Sequence, residues 1–510
     1  MKKIVSFIVA AVAALTCIVG AAGCGRKGLR PPSDTIRYIV YSGGGSLDES
    51  DRIKEEVNKR TKAELGFGVD FEYLGYDDYT NKLGLYFGSD ENFDMCFTGS
   101  ILSGLSYSDR AAGGYFMDIT DLLPEYAPNL WASMDAEIWE AARVNGRIYG
   151  VINEQIFARS VGLCIDKQIA AAIELTQENI DNEGLTYREC INRAMEYIKN
   201  EPSISPGGRV PSTTLVIGEA WSDIFMQNYA LDSLGADALI PGIIEAGEDK
   251  TEVINQYSSK YFREFVEFCR EMHEKGYIAK EQASSPITAN QRVRITGTYK
   301  PGAEAELYNA IGREFVQFRF GTPLLTTYNV TTSMTGINSQ SGNADKCLKF
   351  MELMYKDKSF YNLVAIGQEG IDYDWKDAID DLGNDYRYIS YVKESKYKLN
   401  TDWSVGTEFN VYRKYLQNAT VVEDTKELNS TSKISSAYGF TFLYTIELSS
   451  DISSCYRVAD TQIKLLLSGN YDKTKTTDKI IEDLVAELNR NGASRIISAK
   501  QTQLNAFLEK

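Results

Sequence analysis

The 510-residue chain holds a single histidine, His273. One imidazole leaves little material for histidine-based catalysis or for a multi-histidine metal site. No P-loop, G-x-S-x-G or H-E-x-x-H occurs. A glycine triplet at 43–45 follows strand-like sequence. It lacks the G-x-G-x-x-G spacing and the downstream acid that a dinucleotide site uses. None of the eight cysteines makes a C-x-x-C or a zinc-like spacing. Basic residues are outnumbered, 54 against 71 acidic, for a net charge of -17. That balance argues against nucleic acid, whose binding rests on neutralising phosphates. Beyond residue 19, no apolar run is long enough to span a bilayer.

The one long apolar run lies at the start. Lys2 and Lys3 precede an uncharged stretch from Ile4 to Val19, a positive n-region followed by an h-region. Ala21, Ala22 and Gly23 then lead into Cys24. The run resembles a bacterial lipoprotein signal, in which the cysteine thiol is diacylated and becomes the new N-terminus. A plain signal peptide or an uncleaved anchor are the other readings. Stable anchoring takes two or more chains, each buried CH₂ adding ~0.8 kcal/mol. The following residues to 34, with Pro31 and Pro32, read as an extended tether. The six later cysteines sit in apolar segments and read as buried small hydrophobes. One or two disulfides stay open. His273, in "EFCREMHEKGYI", is expected on an exposed helix face.

The body begins with strand 36–42, a glycine turn and a helix to about 64. Strand 68–76, a helix and a short buried strand in 93–100 follow. This β-α-β-α-β rhythm predicts a parallel sheet with right-handed crossovers. Ligands in such sheets bind beyond the carboxyl ends of the strands, here "YSGGGS" and "FTGS". Further on come a turn at Gly146 and strand-like runs at 147–152 and 160–165. An amphipathic helix closes at Gly276, and a strand ends at Gly297 with a helix starting beside Glu304.

"DITDLLPEYAPNL", "VNGRIYGVINE" and "VGLCIDKQIA" resemble the run that leads from the first lobe to the second in extracellular solute-binding proteins of ABC importers, family-1 type. "GQEGIDYDW" and the helix before it continue the likeness. The tail from "AYGFTFLYTIELSS" to "KQTQLNAFL" resembles the C-terminal domain of a LipO-like lipoprotein subgroup. The resemblance covers nearly the whole mature chain. It implies an α/β, two-lobed periplasmic-binding-protein-like fold of type II, with crossing strands and the ligand between the lobes. The expected division is a signal over 1–23, a tether over 24–34, lobe one over 35–150 plus 290–330, and lobe two over 151–289 plus 331–510.

Aromatic residues make up 11%, with 32 Tyr and 5 Trp. Sugars present flat C–H faces and rings of hydroxyls, which aromatic faces and amide or carboxylate groups hold well. The candidate ligand contacts follow from placement. Ser42, Gly43 and Gly44 offer amides at one strand end, and Thr98 and Gly99 end another. Tyr149 and Asn153 lie at the first crossing. Trp221, in "GEAWSD", is a stacking candidate in lobe two. Tyr299 ends a strand expected to return to lobe one. Glu369 and Trp375 flank "GQEGIDYDW". Each also has a plain reading, as turn glycine, hinge filler, loop brace, core or rim residue.

The expected function is capture of a solute outside the cell and its delivery to ABC permease subunits. An oligosaccharide is the favoured solute, and a peptide stays open. The expected protein is a monomer held to the extracytoplasmic face of the membrane by lipid on Cys24, with no catalytic residues, cofactor or metal. A secreted carbohydrate-active enzyme, and a surface sensor or adhesion lipoprotein of the same fold, are the alternatives.

Overall fold

A computed structural model describes residues 29–43, 46–89, 91–102, 105–211, 214–217, 221–247, 250–278, 290–380 and 383–509. The signal, Cys24 and Gly44 lie outside the described residues.

The opening rhythm is present. β1 (Thr35–Ser42), α1 (Ser50–Glu64), β2 (Gly68–Gly75), α2 (Tyr76–Gly88) and β3 (Met95–Thr98) follow in order. β1 pairs in parallel with β2 from Thr35↔Gly68 to Ser42↔Gly75, and with β3 through Tyr38↔Met95. Tyr38, Ile39 and Val40 are all fully buried, because the sheet is covered on both faces. α1 buries Ile53, Val57 and Thr61, one stripe at four-residue spacing. β4 (Gly150–Ile152) ends this first pass through lobe one.

The chain then crosses into a second sheet. β5 (Arg159–Asp166) and β6 (Leu215–Ile217) precede α3 (Lys260–Glu274) and β7 (Val293–Thr296). α4 (Ala303–Ile311) and β8 (Phe315–Leu325) follow. β7 pairs with β5 antiparallel and with β6 in parallel. β8 lies antiparallel along the other edge of β5. α3 sets Phe262, Phe265, Val266, Cys269 and Met272 against this sheet, and the Ser259 hydroxyl accepts the Phe262 amide at its start.

β9 (Met334–Ile337) returns to the first sheet, whose order is β2-β1-β3-β9-β4. α5 (Ala344–Lys356) and a hairpin of β10 (Tyr373–Ile379) and β11 (Asp385–Tyr391) stay with that lobe. Its core takes in Cys347, Met351, Tyr397 and Val405. α6 (Val421–Thr431) makes a third crossing, and β12 (Lys433–Ile434) joins the edge of β8. α7 (Ser449–Ser468), α8 (Thr477–Arg490) and α9 (Ala493–Leu508) complete the second core.

The expected lobe boundaries therefore need correction in the middle of the chain. Residues 290–330, placed in lobe one from sequence, form β7, α4 and β8 of the second lobe. Val293 and Ile295 pair with Ile165 and Leu163 of β5 and bury fully in its core. Residues 331–510, placed in lobe two, divide: β9 through about 415 belong with lobe one, and only the part from β12 onward is second-lobe. The described chain thus visits each lobe twice.

Two smaller expectations also change. The last residues of the expected tether are bound to lobe one. The Arg30 amide donates to Gln340 O at 2.9 Å, and the Ser33 amide to Asn343 Oδ1 at 2.9 Å. His273 is half-buried rather than exposed. Its Nε2 lies 3.1 and 2.9 Å from the Leu466 and Leu467 carbonyls at the end of α7. Burial lowers its pKa despite those carbonyls. All six described cysteines are free and buried.

Candidate binding cleft between the lobes

The first crossing, at 153–158, is sealed by neutral hydrogen bonds. Asn153 is fully buried. Its amide donates to Ser333 O at 3.0 Å, and its Nδ2 donates to Ser333 Oγ at 3.0 Å and Ser404 O at 2.9 Å. Its Oδ1 accepts from Thr335 Oγ1 at 3.1 Å. One side chain thus ties together the first crossing, the second crossing and the 400s segment of lobe one. Asn429, on α6, accepts the Phe157 and Ala158 amides and donates to Gln155 O. The third crossing is bound to the first in this way.

The carboxyl ends of β1 and β3 are covered by residues 397–404. Ser42 Oγ and the Gly43 amide donate to Leu399 O at 3.3 Å each, and Thr401 Oγ1 donates to Tyr41 O at 2.8 Å. A Cβ on Gly43 would come within 2.6 Å of Asn400 O. The Gly43 amide expected to face a ligand is therefore used inside the protein. Thr98 is fully buried and donates to Leu105 O, while Gly99 packs against the Thr332 carbonyl so closely that no side chain fits. Above these strand ends lies the half-buried indole of Trp403. Its ring centre is 5.9 Å from that of Tyr41 and 5.8 Å from that of Phe97. Ser333 Oγ holds the Trp403 carbonyl at 2.9 Å.

Asp402, the residue before Trp403, belongs to a cluster of charge. Lys300, just before α4, reaches Glu306 at 2.9 Å and Glu408 at 2.5 Å. Lys414 lies 3.4 Å from Asp402 and 4.0 Å from Glu306. Lys300 and Glu306 belong to lobe two, and Asp402, Glu408 and Lys414 to lobe one, so the cluster bridges the lobes. Its side chains still touch water, 28% for Lys300 and 40% for Glu306. A partly exposed cluster of charge where the two lobes meet is the candidate floor of an interlobe cleft. Burial pulls the Lys300 pKa down, and Glu306, Glu408 and Asp402 more than reverse it, so the ammonium is held charged. Burial pushes Glu408 up against Lys300, whereas Lys414 and Lys300 overcome burial at Asp402 and hold it down. Tyr391, at the end of the hairpin, feels Lys414, Asp402 and Glu306. Such a floor can offer an apolar ring face together with donors and acceptors for hydroxyls.

The other expected contacts scatter. Tyr149 is half-buried and its amide donates to the Tyr107 hydroxyl at 2.9 Å, a packing role. Asn153 is used up within the crossing. Tyr299 does not return to lobe one. Its ring packs on Ile156, Ala158 and Leu428 at the crossings and borders a groove of about 420 Å³ between α4 and α6. Glu369 is exposed and bridges to Tyr373 within its own loop. Trp375 lies on the hairpin, 4.8 Å from Tyr412 and with Arg387 5.0 Å from its ring centre. Trp221 begins a helix, Trp221–Asn228; its side chain and Gly44 lie outside what the structure describes. Sequence reasoning missed Lys300, Glu306, Asp402, Trp403, Glu408 and Lys414. The one usable signal was local, since Lys300 adjoins Tyr299.

Two mixed sheets joined by three crossings, with an ion-pair cluster where they meet, make a two-lobed α/β architecture. No family profile matches the chain. A carbohydrate ABC transporter substrate-binding protein of Streptococcus pneumoniae serotype 4 is 24% identical over 526 residues, spanning 100% of this chain and 99% of that protein. Among solved structures, the N-glycan transport solute-binding protein NgtS of S. pneumoniae overlays with a TM-score of 0.75 at 22% identity, covering 94% of this chain and 100% of that one. The same protein in complex with Man5GlcNAc overlays at 0.69 and 23%, covering 94% and 99%. The likeness to solute-binding proteins of ABC importers read from the sequence is borne out; these relatives do not confirm the LipO-like subgroup.

Proposed function

We propose that this chain captures an oligosaccharide outside the cell and passes it to the permease of an ABC importer, without chemical change. The observation that carries the reading is the ion-pair cluster drawn from both lobes and open to water, which includes Asp402, next in sequence to the half-buried Trp403. A pyranose ring has an apolar face for the indole and hydroxyls for the lysines and carboxylates. A ligand touching both lobes favours the arrangement in which they are close, and that differential affinity drives closure. The mannose- and N-acetylglucosamine-containing ligands seen with the pneumococcal relative make this sugar class the first to try. In this reading Cys24 carries the lipid, the protein works as a monomer on the extracytoplasmic face, and the bound Arg30–Ser33 segment holds lobe one nearest the membrane.

Hydrolysis is the alternative to test, because the same cluster gathers the carboxylates of Glu306, Asp402 and Glu408 and a glycosidase works with two. Both questions are answered by one experiment. The chain is melted with and without Man5GlcNAc, and the sugar is then chromatographed. At about 100 times the dissociation constant a true ligand stabilises the fold by ~2.7 kcal/mol. A raised midpoint with intact sugar supports capture. Shortened sugar overturns it in favour of hydrolysis. A midpoint moved by peptides and by no sugar overturns the oligosaccharide assignment.

A further inference from the structure

Outside the cleft floor, the richest unassigned feature is a row of tyrosines that runs from the hairpin of lobe one to α4 of lobe two. β10 and β11 belong to neither large sheet. On one face of the hairpin, Lys376 pairs with Tyr388 and Ala378 with Tyr386, so the two tyrosines stand side by side. The ring centres of Tyr386 and Tyr388 are 6.0 Å apart, those of Tyr388 and Tyr415 4.9 Å, and those of Tyr415 and Tyr308 5.4 Å. All four are half-buried. A core cluster would be sealed; these rings keep surface.

The row is held in place at one end. The Arg413 guanidinium stacks 3.7 Å from the centre of the Tyr386 ring, and the Leu416 amide donates to the Tyr386 hydroxyl at 3.2 Å. Across the lobes, Asn309 Nδ2 donates to the Tyr415 carbonyl at 3.1 Å. The row is also continuous with the cleft floor. Tyr415 follows Lys414 of the ion-pair cluster, and Ile389 of the hairpin bridges to Lys414. Tyr391, the last residue of the hairpin, stands within reach of that same cluster and is 38% exposed.

We propose that Tyr386, Tyr388, Tyr415 and Tyr308 form an outer subsite for the distal residues of a long oligosaccharide whose other end lies on the cleft floor. This rests on the oligosaccharide reading above. Successive rings are tilted 45–54° to one another, so each turns an edge or a face toward a different pyranose of a chain that bends along the row, and a row built from both lobes lets a long sugar grip both. A short sugar fills the floor and leaves the row empty. The row therefore selects for ligand length.

The test is calorimetry on the whole mature chain with Man1GlcNAc and Man5GlcNAc. The unmodified protein is expected to bind the longer sugar about tenfold tighter. Tyr388→Ala and Tyr415→Ala should each remove most of that advantage and leave Man1GlcNAc binding unchanged. Tyr388→Phe, which keeps the ring and the fold, should keep the advantage. The inference is overturned if the alanine variants weaken both sugars alike, if they weaken neither, or if they change only the oligomeric state. It also falls alone if the unmodified protein binds both sugars equally. Binding of neither sugar takes down the oligosaccharide reading with it, so the two failures are distinguishable.

Discussion

Lys300 and Lys500 are lysines in unlike places, and the fold treats them in opposite ways. Lys300 lies on the cleft floor with Glu306 and Glu408 against its ammonium. Lys500 is fully buried in lobe two, where Nζ donates to the Gly242 carbonyl at 2.6 Å and the Ser233 carbonyl at 3.2 Å and lies over the Phe442 ring. Burial lowers both. Carboxylates reverse the shift at Lys300, whereas at Lys500 burial prevails over the more distant Asp232 and Asp237 and brings the pKa to about 7. The cleft keeps its charges on and wet. The interior tends to turn its charge off.

Asn153 is the neutral extreme of that contrast, and breaking it should cost most. Asn153→Ala strips partners from Ser333, Thr335 and Ser404 in a sealed site, and urea unfolding should show a loss of roughly 3 kcal/mol. The Lys300→Met variant leaves two carboxylates facing each other across the lobes. A smaller loss of about 2 kcal/mol is expected, with weaker sugar binding and a pH dependence shifted by the freed Glu408. Lys500 sharpens the comparison through pH. Between pH 7 and pH 9 the unfolded chain keeps a proton that the folded chain sheds, so stability rises with pH. The unmodified protein should gain about 2 kcal/mol over that interval relative to Lys500→Met. A flat difference would show that the interior tolerates the charge. The smallest effect is at the indole. Trp403→Ala should weaken sugar binding about tenfold by calorimetry.

The first sheet was legible because each of its early elements carries its own signal. Alternation marks β2, an apolar run marks β3, and the stripe of Ile53 and Val57 marks α1. The lobe assignment of β7 and β8 was not legible. Strand, turn and helix from Val293 to Ile311 have the same pattern as a first-lobe unit, and periodicity says what an element is without naming its partner. The site was less legible still. Lys300 and Glu408 meet across 108 residues of sequence, and neither stands in a motif. Glycines at strand ends looked like ligand amides, yet the 397–404 segment, with no local mark of its role, covers them. Tyrosine abundance pointed to sugar but not to the hairpin that gathers Tyr386 and Tyr388.

The central claim is that two lobes draw together around a sugar. Small-angle X-ray scattering with and without Man5GlcNAc measures this most directly, with calorimetry confirming saturation. The account predicts a smaller radius of gyration in the saturated protein. An unchanged scattering curve at proven saturation would contradict it.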